Sequence, residues 1–167
     1  MIEVIFLRHG IAMDQEDWDG DDRSRPLTKE GADRTKSAVR GLRALKVRAD
    51  ILWSSPLKRA RQTAEIAKTE LPFTSKIELI EDLSPEAAPD ALIARLADLK
   101  RGTIVFCVGH EPHLSTTISS MISGKTAASV DMKKAGACSI RFTAGPKSGA
   151  GVLQWLVSPK ILRLLGE

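Results

Sequence analysis

Tyrosine is absent from this chain of 167 residues, and three tryptophans and four phenylalanines hold the aromatic share to 4%. So little ring surface is a poor platform for stacking bases, and no recognised nucleic-acid motif accompanies it, which argues against a nucleic-acid-binding module. Cysteine is nearly absent too: Cys107 and Cys138 are the two in the chain. Both lie in apolar stretches, where a reduced thiol behaves as a small hydrophobe, so no disulfide is expected. No stretch approaches the roughly eighteen apolar residues of a membrane span. Met1 leads almost at once into a strand pattern, without the basic segment, apolar region or cleavage site of a leader, so the expected setting is the cytoplasm, away from membranes. Charge of one sign is also scarce, since 25 basic residues against 21 acidic ones leave a net +4. That excess is too scattered to announce nucleic acid, but it suits an anionic ligand.

Hydrophobic residues at 43% and charged residues at 28% are ordinary for a globular protein. The length fits one domain, 1–167, with one sizeable core. Short apolar runs rich in β-branched residues alternate with helical patterns, the layout of an α/β protein whose three-layer sandwich has a mostly parallel central sheet. The expected strands are 2–7, 51–53, 76–79, 103–108, 138–142 and 152–157. Thr28 caps a helix reaching to about Leu45 that buries Ala38, Leu42 and Leu45, with Glu30 in its first turn. Ser55-Pro56 reads as the start of a helix to about Glu70, the hydroxyl capping and the proline losing no hydrogen bond. Pro89 opens another helix with Leu92, Leu96 and Leu99 on one face and Gly102 as its stop, and a fourth spans roughly Pro112 to Ser123, closed by Gly124. Segments 14–25 and 144–151 read as exposed loops.

Arg8-His9-Gly10 follows the run Val4-Ile5-Phe6-Leu7, and this placement is the most informative feature present. An arginine offers a planar fork for phosphate oxygens, a glycine permits close backbone approach, and an imidazole is a nucleophile that stays largely neutral near pH 7. His9, the stretch from Ser55 to Arg59, and His110 each come directly after an expected strand. In a parallel sheet such ends share one edge, where ligands bind. Arg8, His9, Arg59 and His110 would converge there as two guanidinium groups and two imidazoles, a set that matches a tetrahedral phosphoryl group. The plain alternatives are a solvated helix arginine for Arg59, like Lys58 and Arg61, and a helix-capping role for His110. Most other basic residues, from Lys29 to Arg48, read as the solvated side of the first long helix.

Arg8-His9-Gly10, the stretch from Ser55-Pro56-Leu57-Lys58-Arg59 through Thr63-Ala64, and Gly109-His110-Glu111-Pro112 together resemble the histidine phosphatase superfamily, which includes the phosphoglycerate mutases. Ile11-Ala12, Arg25-Pro26-Leu27-Thr28 with Gly31, His113-Leu114, and a late Trp155 with Pro159 make the chain most similar to the short phosphohistidine phosphatases of the SixA type. The resemblance implies a phosphoglycerate mutase-like fold and a phosphatase that needs no metal or other cofactor. His9 would attack phosphorus and carry a transient phosphohistidine, while Arg8, Arg59 and His110 bind the phosphate. Two departures from the mutases stand out. Isoleucine fills position 11 where mutases usually carry glutamate, and the stretch between Leu79 and Thr103 is too short for the helical insertion that covers a mutase pocket. An uncovered pocket favours a phosphoryl group borne on a protein, such as a histidine phosphocarrier or phosphotransfer domain, with a small phosphate ester as the alternative partner.

The resemblance places the general acid after the third strand, where Glu81 is the choice and Asp82 its neighbour, with Asp14 and Glu111 as weaker candidates. A leaving imidazole departs neutral if its other nitrogen carries a proton, so demand for a strong acid is low. His113, one turn beyond His110, would complete three imidazoles with His9, but the arginines would repel a cation, and a surface or rim position is expected instead. Arg25 is either part of a helix entry or close to the pocket.

Overall fold

The computed structural model describes residues 1–127 and 129–167. Its β-branched, apolar segments pair into one six-stranded sheet in the order β3-β2-β4-β1-β5-β6. The strands are β1 (Ile2–Arg8), β2 (Ile51–Ser54), β3 (Ile77–Leu79), β4 (Ile104–Gly109), β5 (Ala137–Phe142) and β6 (Val152–Val157). The pairings β2/β3, β2/β4 and β1/β4 are parallel, while β5 runs antiparallel to both β1 and β6.

Alternation along the strands builds two cores because successive side chains point to opposite faces. Val4, Phe6, Val105 and Cys107 meet Leu92 and Leu96 of α3 (Pro89–Ala97) and Leu114, Ile118 and Met121 of α4 (His113–Ser123). Ile5, Leu7, Phe106 and Val108 meet Ala38 and Leu42 of α1 (Lys29–Ala44), Ala60, Ala64 and Ala67 of α2 (Lys58–Glu70), and Leu162 of α5 (Pro159–Leu165). Helices thus cover both sheet faces in three layers.

Local chemistry explains most boundaries. Thr28 caps α1 by accepting from the Gly31 backbone N–H at 2.8 Å, and Gly124 closes α4 in the left-handed region at φ 75°. Leu45, expected in the core, is exposed because it falls past the end of α1. Helix α3 ends at Ala97, short of Leu99 and Gly102, though Leu99 still packs on the core edge. The segment 14–25 contains two single 3-10 turns, Gln15–Asp17 and Asp22–Ser24. Helix α5 was not expected from the sequence, yet Ser158 accepts from the Ile161 N–H and Pro159 occupies the first turn.

Candidate active site

Three parallel strands deliver the functional segments to one edge. Arg8 is the last residue of β1 and pairs with Gly109, the last of β4, while Ser54 ends β2 between them and the helix carrying Arg59. The His9 N–H donates to the Gly109 carbonyl at 3.0 Å, tying the histidine to the strand that leads into His110. Gly10 is required by space: a Cβ there would stand 2.1 Å from Thr35 Oγ1, and its N–H donates to Thr63 Oγ1 at 3.1 Å.

His9 is 7% exposed. Its Nδ1 lies 2.6 Å from the Gly10 carbonyl oxygen, and a carbonyl only accepts, so Nδ1 carries the proton and Nε2 presents its lone pair. Burial, opposed by the Gly10 hydrogen bond and reinforced by the charges of Arg59, Arg8 and Lys134, holds its pKa down at about 3. The His110 ring stands beside it, centroids 4.9 Å apart and tilted 54°. Burial, followed by the neighbouring His9 and Arg59, takes His110 down to about 2. Both imidazoles are therefore neutral near pH 7.

The hydroxyl of Ser55, expected to cap α2, takes a different role. Helix α2 begins at Lys58 with no side-chain cap, and Ser55 Oγ lies 2.8 Å from His110 Nε2 while accepting from the Leu57 N–H at 3.3 Å. Because Ser55 Oγ already accepts from the Leu57 N–H, its own proton is assigned to the contact with Nε2, which leaves the proton of neutral His110 on Nδ1. That Nδ1 is buried without a hydrogen-bond partner among the described residues, as are Arg8 Nε and Arg59 Nε. Arg59, 5% exposed, donates from Nη1 to the Asp22 carbonyl at 2.8 Å and from Nη2 to Asp22 Oδ2 at 3.0 Å. Arg8 Nη1 donates to the Met132 carbonyl at 2.8 Å.

These groups line a cavity of about 290 Å³ with Arg8, His9, Arg59 and His110 on its wall, together with Asp22, Arg25, Glu111 and Lys134. A groove between α1 and α2 of about 430 Å³ carries no histidine, arginine or cysteine and has no evident part in such chemistry. The four residues expected to converge are together. Arg25 lines the cavity as well, donating to the Met13 carbonyl at 2.6 Å and pairing with Asp22 at 2.9 Å.

Glu81 stands elsewhere. In the single turn Glu81–Leu83, Leu83 takes the buried position and the Glu81 side chain, 69% exposed, pairs with Arg23 at 3.0 Å and accepts from Ser84 Oγ at 2.7 Å. Asp82 pairs with Arg95, and Asp14 lines a separate cavity. Glu111 does reach the cavity wall, with Oε1 accepting from the Ser115 N–H at 2.9 Å. Asp22 was missed because it lies in a loop with no motif around it. Partial burial would raise its carboxyl, but hydrogen bonds and charges from Arg25 and Arg59 outweigh this and hold it below the usual range.

His113, placed by the sequence at a rim, is 3% exposed, with Nε2 3.4 Å from Thr117 Oγ1. Among the described residues no three His, Cys, Asp or Glu are grouped so as to hold a metal ion. Nor is any described helix long and apolar enough to cross a membrane.

The model of the histidine phosphatase superfamily (branch 1) matches residues 4–84. An uncharacterized protein of Picosynechococcus is 35% identical over 156 residues, covering 92% of this chain and 89% of that protein. Phosphohistidine phosphatase SixA of Escherichia coli is 26% identical over 166 residues, 98% of each chain. A solved structure of the protein histidine phosphatase SixA complexed with tungstate superposes with a TM-score of 0.83 at 28% identity, covering 96% of this chain and 99% of that one.

Proposed function

The chain belongs to the histidine phosphatase superfamily, and from that premise we propose that it is a metal-independent phosphatase that removes phosphoryl groups from phosphohistidine on a protein, through a phosphohistidine of its own on His9. In this reading residues 1–167 form one catalytic domain working in the cytoplasm. The observation that carries it is the state of His9: Nδ1 bound to the Gly10 carbonyl, Nε2 without a hydrogen-bond partner among the described residues, and beside it a wall of cations in which the buried Nε atoms of Arg8 and Arg59 likewise have none.

In the first step, His9 Nε2 attacks phosphorus in line as the bond from phosphorus to the substrate nitrogen breaks, its electron pair returning to the leaving imidazole. Arg8, Arg59 and His110 Nδ1 spread charge from the equatorial oxygens, the main task in phosphoryl transfer. Phosphorylation at Nε2 leaves the proton on Nδ1, hydrogen-bonded to the Gly10 carbonyl, so the ring of phospho-His9 is an imidazolium and its neutral imidazole is a good leaving group for the second step. Water then attacks phosphorus, inorganic phosphate forms, and neutral His9 returns.

Preference for a phosphorus–nitrogen bond is supported by the carboxylates. Asp22 is held ionised against Arg59 and Arg25, Glu111 is engaged at Oε1 with the start of α4, and Glu81 points away. A pocket so furnished suits a leaving imidazole more than an alkoxide. Between β3 and β4 lie only a 3-10 turn and α3, and α3 is used to cover the sheet, so of that stretch only Pro85 reaches the cavity. A protein-borne phosphoryl group has room to enter. One observation favours the alternative, a phosphatase of small monoesters: Glu111 lies on the cavity wall, and its Oε2 has no hydrogen-bond partner among the described residues.

The test compares kcat/KM for a phosphohistidine peptide and the matching phosphoserine peptide in the wild type and in Glu111→Gln. The expected result is a preference for phosphohistidine of at least about 100-fold, unchanged by the substitution. Faster turnover of phosphoserine, lost in Glu111→Gln, would replace this reading with the monoester one.

A further inference from the structure

Beside the phosphoryl cavity lies a second cleft, of about 470 Å³, and Arg8 and Lys134 line both. Its other charged walls are Arg34 of α1, Lys133 of the loop before β5, and Arg163 of α5, and no aspartate or glutamate lines it. We propose that this cleft is the docking surface for acidic side chains of the phosphoprotein substrate, so that the enzyme selects phosphohistidine set among aspartates and glutamates. The proposal rests on the phosphohistidine reading and adds what the protein reads beyond the phosphoryl group.

The loop that carries the lysines is clamped to the nucleophile's own strand. The Ala135 N–H donates to the Arg8 carbonyl at 3.0 Å and the His9 carbonyl at 3.3 Å, Arg8 N–H donates to Gly136, and Gly136 N–H donates to Lys133. Ala135 is held at φ 61°, a left-handed conformation that an alanine adopts only where its surroundings impose it. Lys133 and Lys134 are thereby fixed relative to His9, and a partner whose acidic groups meet them is registered against the attacking nitrogen.

Charge and exposure together specify the occupant. Lys134 and Arg163 have no ion-pair partner among the described residues. Arg34 and Lys133 pair only with Glu30 and Asp131, whose side chains are 65% and 72% exposed and exchange for a partner's carboxylates at little cost. The Arg34 and Lys133 side chains are themselves 51% and 64% exposed, spread over separate chain segments rather than enclosed around a point. Exposed, distributed cations steer and orient a large acidic surface, whereas a small ligand's second phosphate calls for enclosed, convergent donors.

Two phosphohistidine peptides, identical except for flanks of Asp and Glu or of Asn and Gln, provide the probe. The wild type should favour the acidic peptide about tenfold in kcat/KM at low salt, chiefly through KM, with the preference collapsing in 0.5 M NaCl, where the screening length falls to about 4 Å from about 30 Å in dilute buffer. The double variant Lys133→Gln, Arg163→Gln should lose the preference and keep wild-type turnover of an aryl phosphate, which also certifies its folding. Equal rates on the two peptides with good activity on both would overturn the docking surface alone. No activity on either, with aryl phosphate still hydrolysed, would overturn the phosphohistidine reading and this proposal with it. Loss in the double variant of turnover on a small bisphosphate, with peptide preference intact, would assign the cleft to a small ligand instead.

Discussion

At the last residue of α2, Glu70 brings a carboxylate, its side chain 8% exposed, to Lys36, Arg40 and Arg43 of α1 at 3.6, 3.0 and 4.0 Å. In the first turn of the same helix, Arg59, its side chain 6% exposed, brings a guanidinium to a cavity already lined by Arg8, Arg25, Lys134 and two histidines. The first cluster is complete: one anion, held below its usual pKa by hydrogen bonding to Arg40 and by the neighbouring cations. The second buries a cation instead, and Arg8 Nε and Arg59 Nε have no hydrogen-bond partner among the described residues. A cluster that buries its carboxylate and surrounds it with exposed cations joins two helices, whereas one that buries a guanidinium and leaves buried nitrogens unpartnered is furnished for an anion that arrives from outside.

The sharpest way to break this comparison is to remove one member of each cluster. Arg59→Ala should lower kcat/KM for an aryl phosphate by about 10²- to 10³-fold, the loss expected for one charge-stabilising donor. Glu70→Ala should leave turnover intact and cost about 1 kcal/mol in thermal or denaturant unfolding, since its partners are 43–60% exposed and screened by water. Equal effects of the two substitutions on turnover would erase the distinction.

Acid separates the clusters next. His9 and His110 have folded-state pKa values depressed to about 3 and about 2 from an ordinary 6.5, so below that value the unfolded chain takes up protons that the folded one refuses. Stability should fall as pH drops from 6.5 toward 3, by up to about 1.4 kcal/mol per pH unit for each histidine. Glu70 contributes the stability of a depressed carboxyl, present above its ordinary 4.5 and lost below it. His110→Asn should therefore flatten the curve already between pH 6.5 and 4.5, and Glu70→Gln only below about 4.5. Saturating inorganic phosphate should flatten the upper limb in the wild type, because a bound dianion favours protonated imidazole.

The smallest effect concerns two Ser-Pro pairs. Ser55 is fully buried and meets His110 Nε2, while Ser158 is half-buried and caps α5. Ser55→Ala should lower kcat/KM a few-fold by freeing the His110 tautomer, and Ser158→Ala should cost about 0.5–1 kcal/mol of stability with turnover unchanged.

These pairs also show where sequence reading succeeds and stops. Apolar runs revealed the strands, because β-branched alternation is a local signal, and the residues just after β1, β2 and β4 were legible as one edge once a parallel sheet was inferred. Ser55-Pro56 looked like a cap and Ser158-Pro159 was passed over, yet only the second is one: whether a hydroxyl serves a helix or an imidazole depends on burial, a tertiary property. Asp22 was invisible for the same reason, since its partner Arg59 lies 37 positions away. Glu81 followed strand β3 as expected, but Leu83 claimed the interior of that turn and directed the carboxylate to solvent. His113 went inward because the first turn of α4 packs its face against the sheet.

The most direct measurement is a rapid quench of the enzyme during turnover of a ³²P-labelled substrate, followed by peptide mapping. Label on His9 that survives alkali, is released by acid, and vanishes in His9→Ala together with hydrolysis is the result expected of a nucleophilic Nε2. Label on another residue, or undiminished turnover in His9→Ala, would contradict the role given to this histidine.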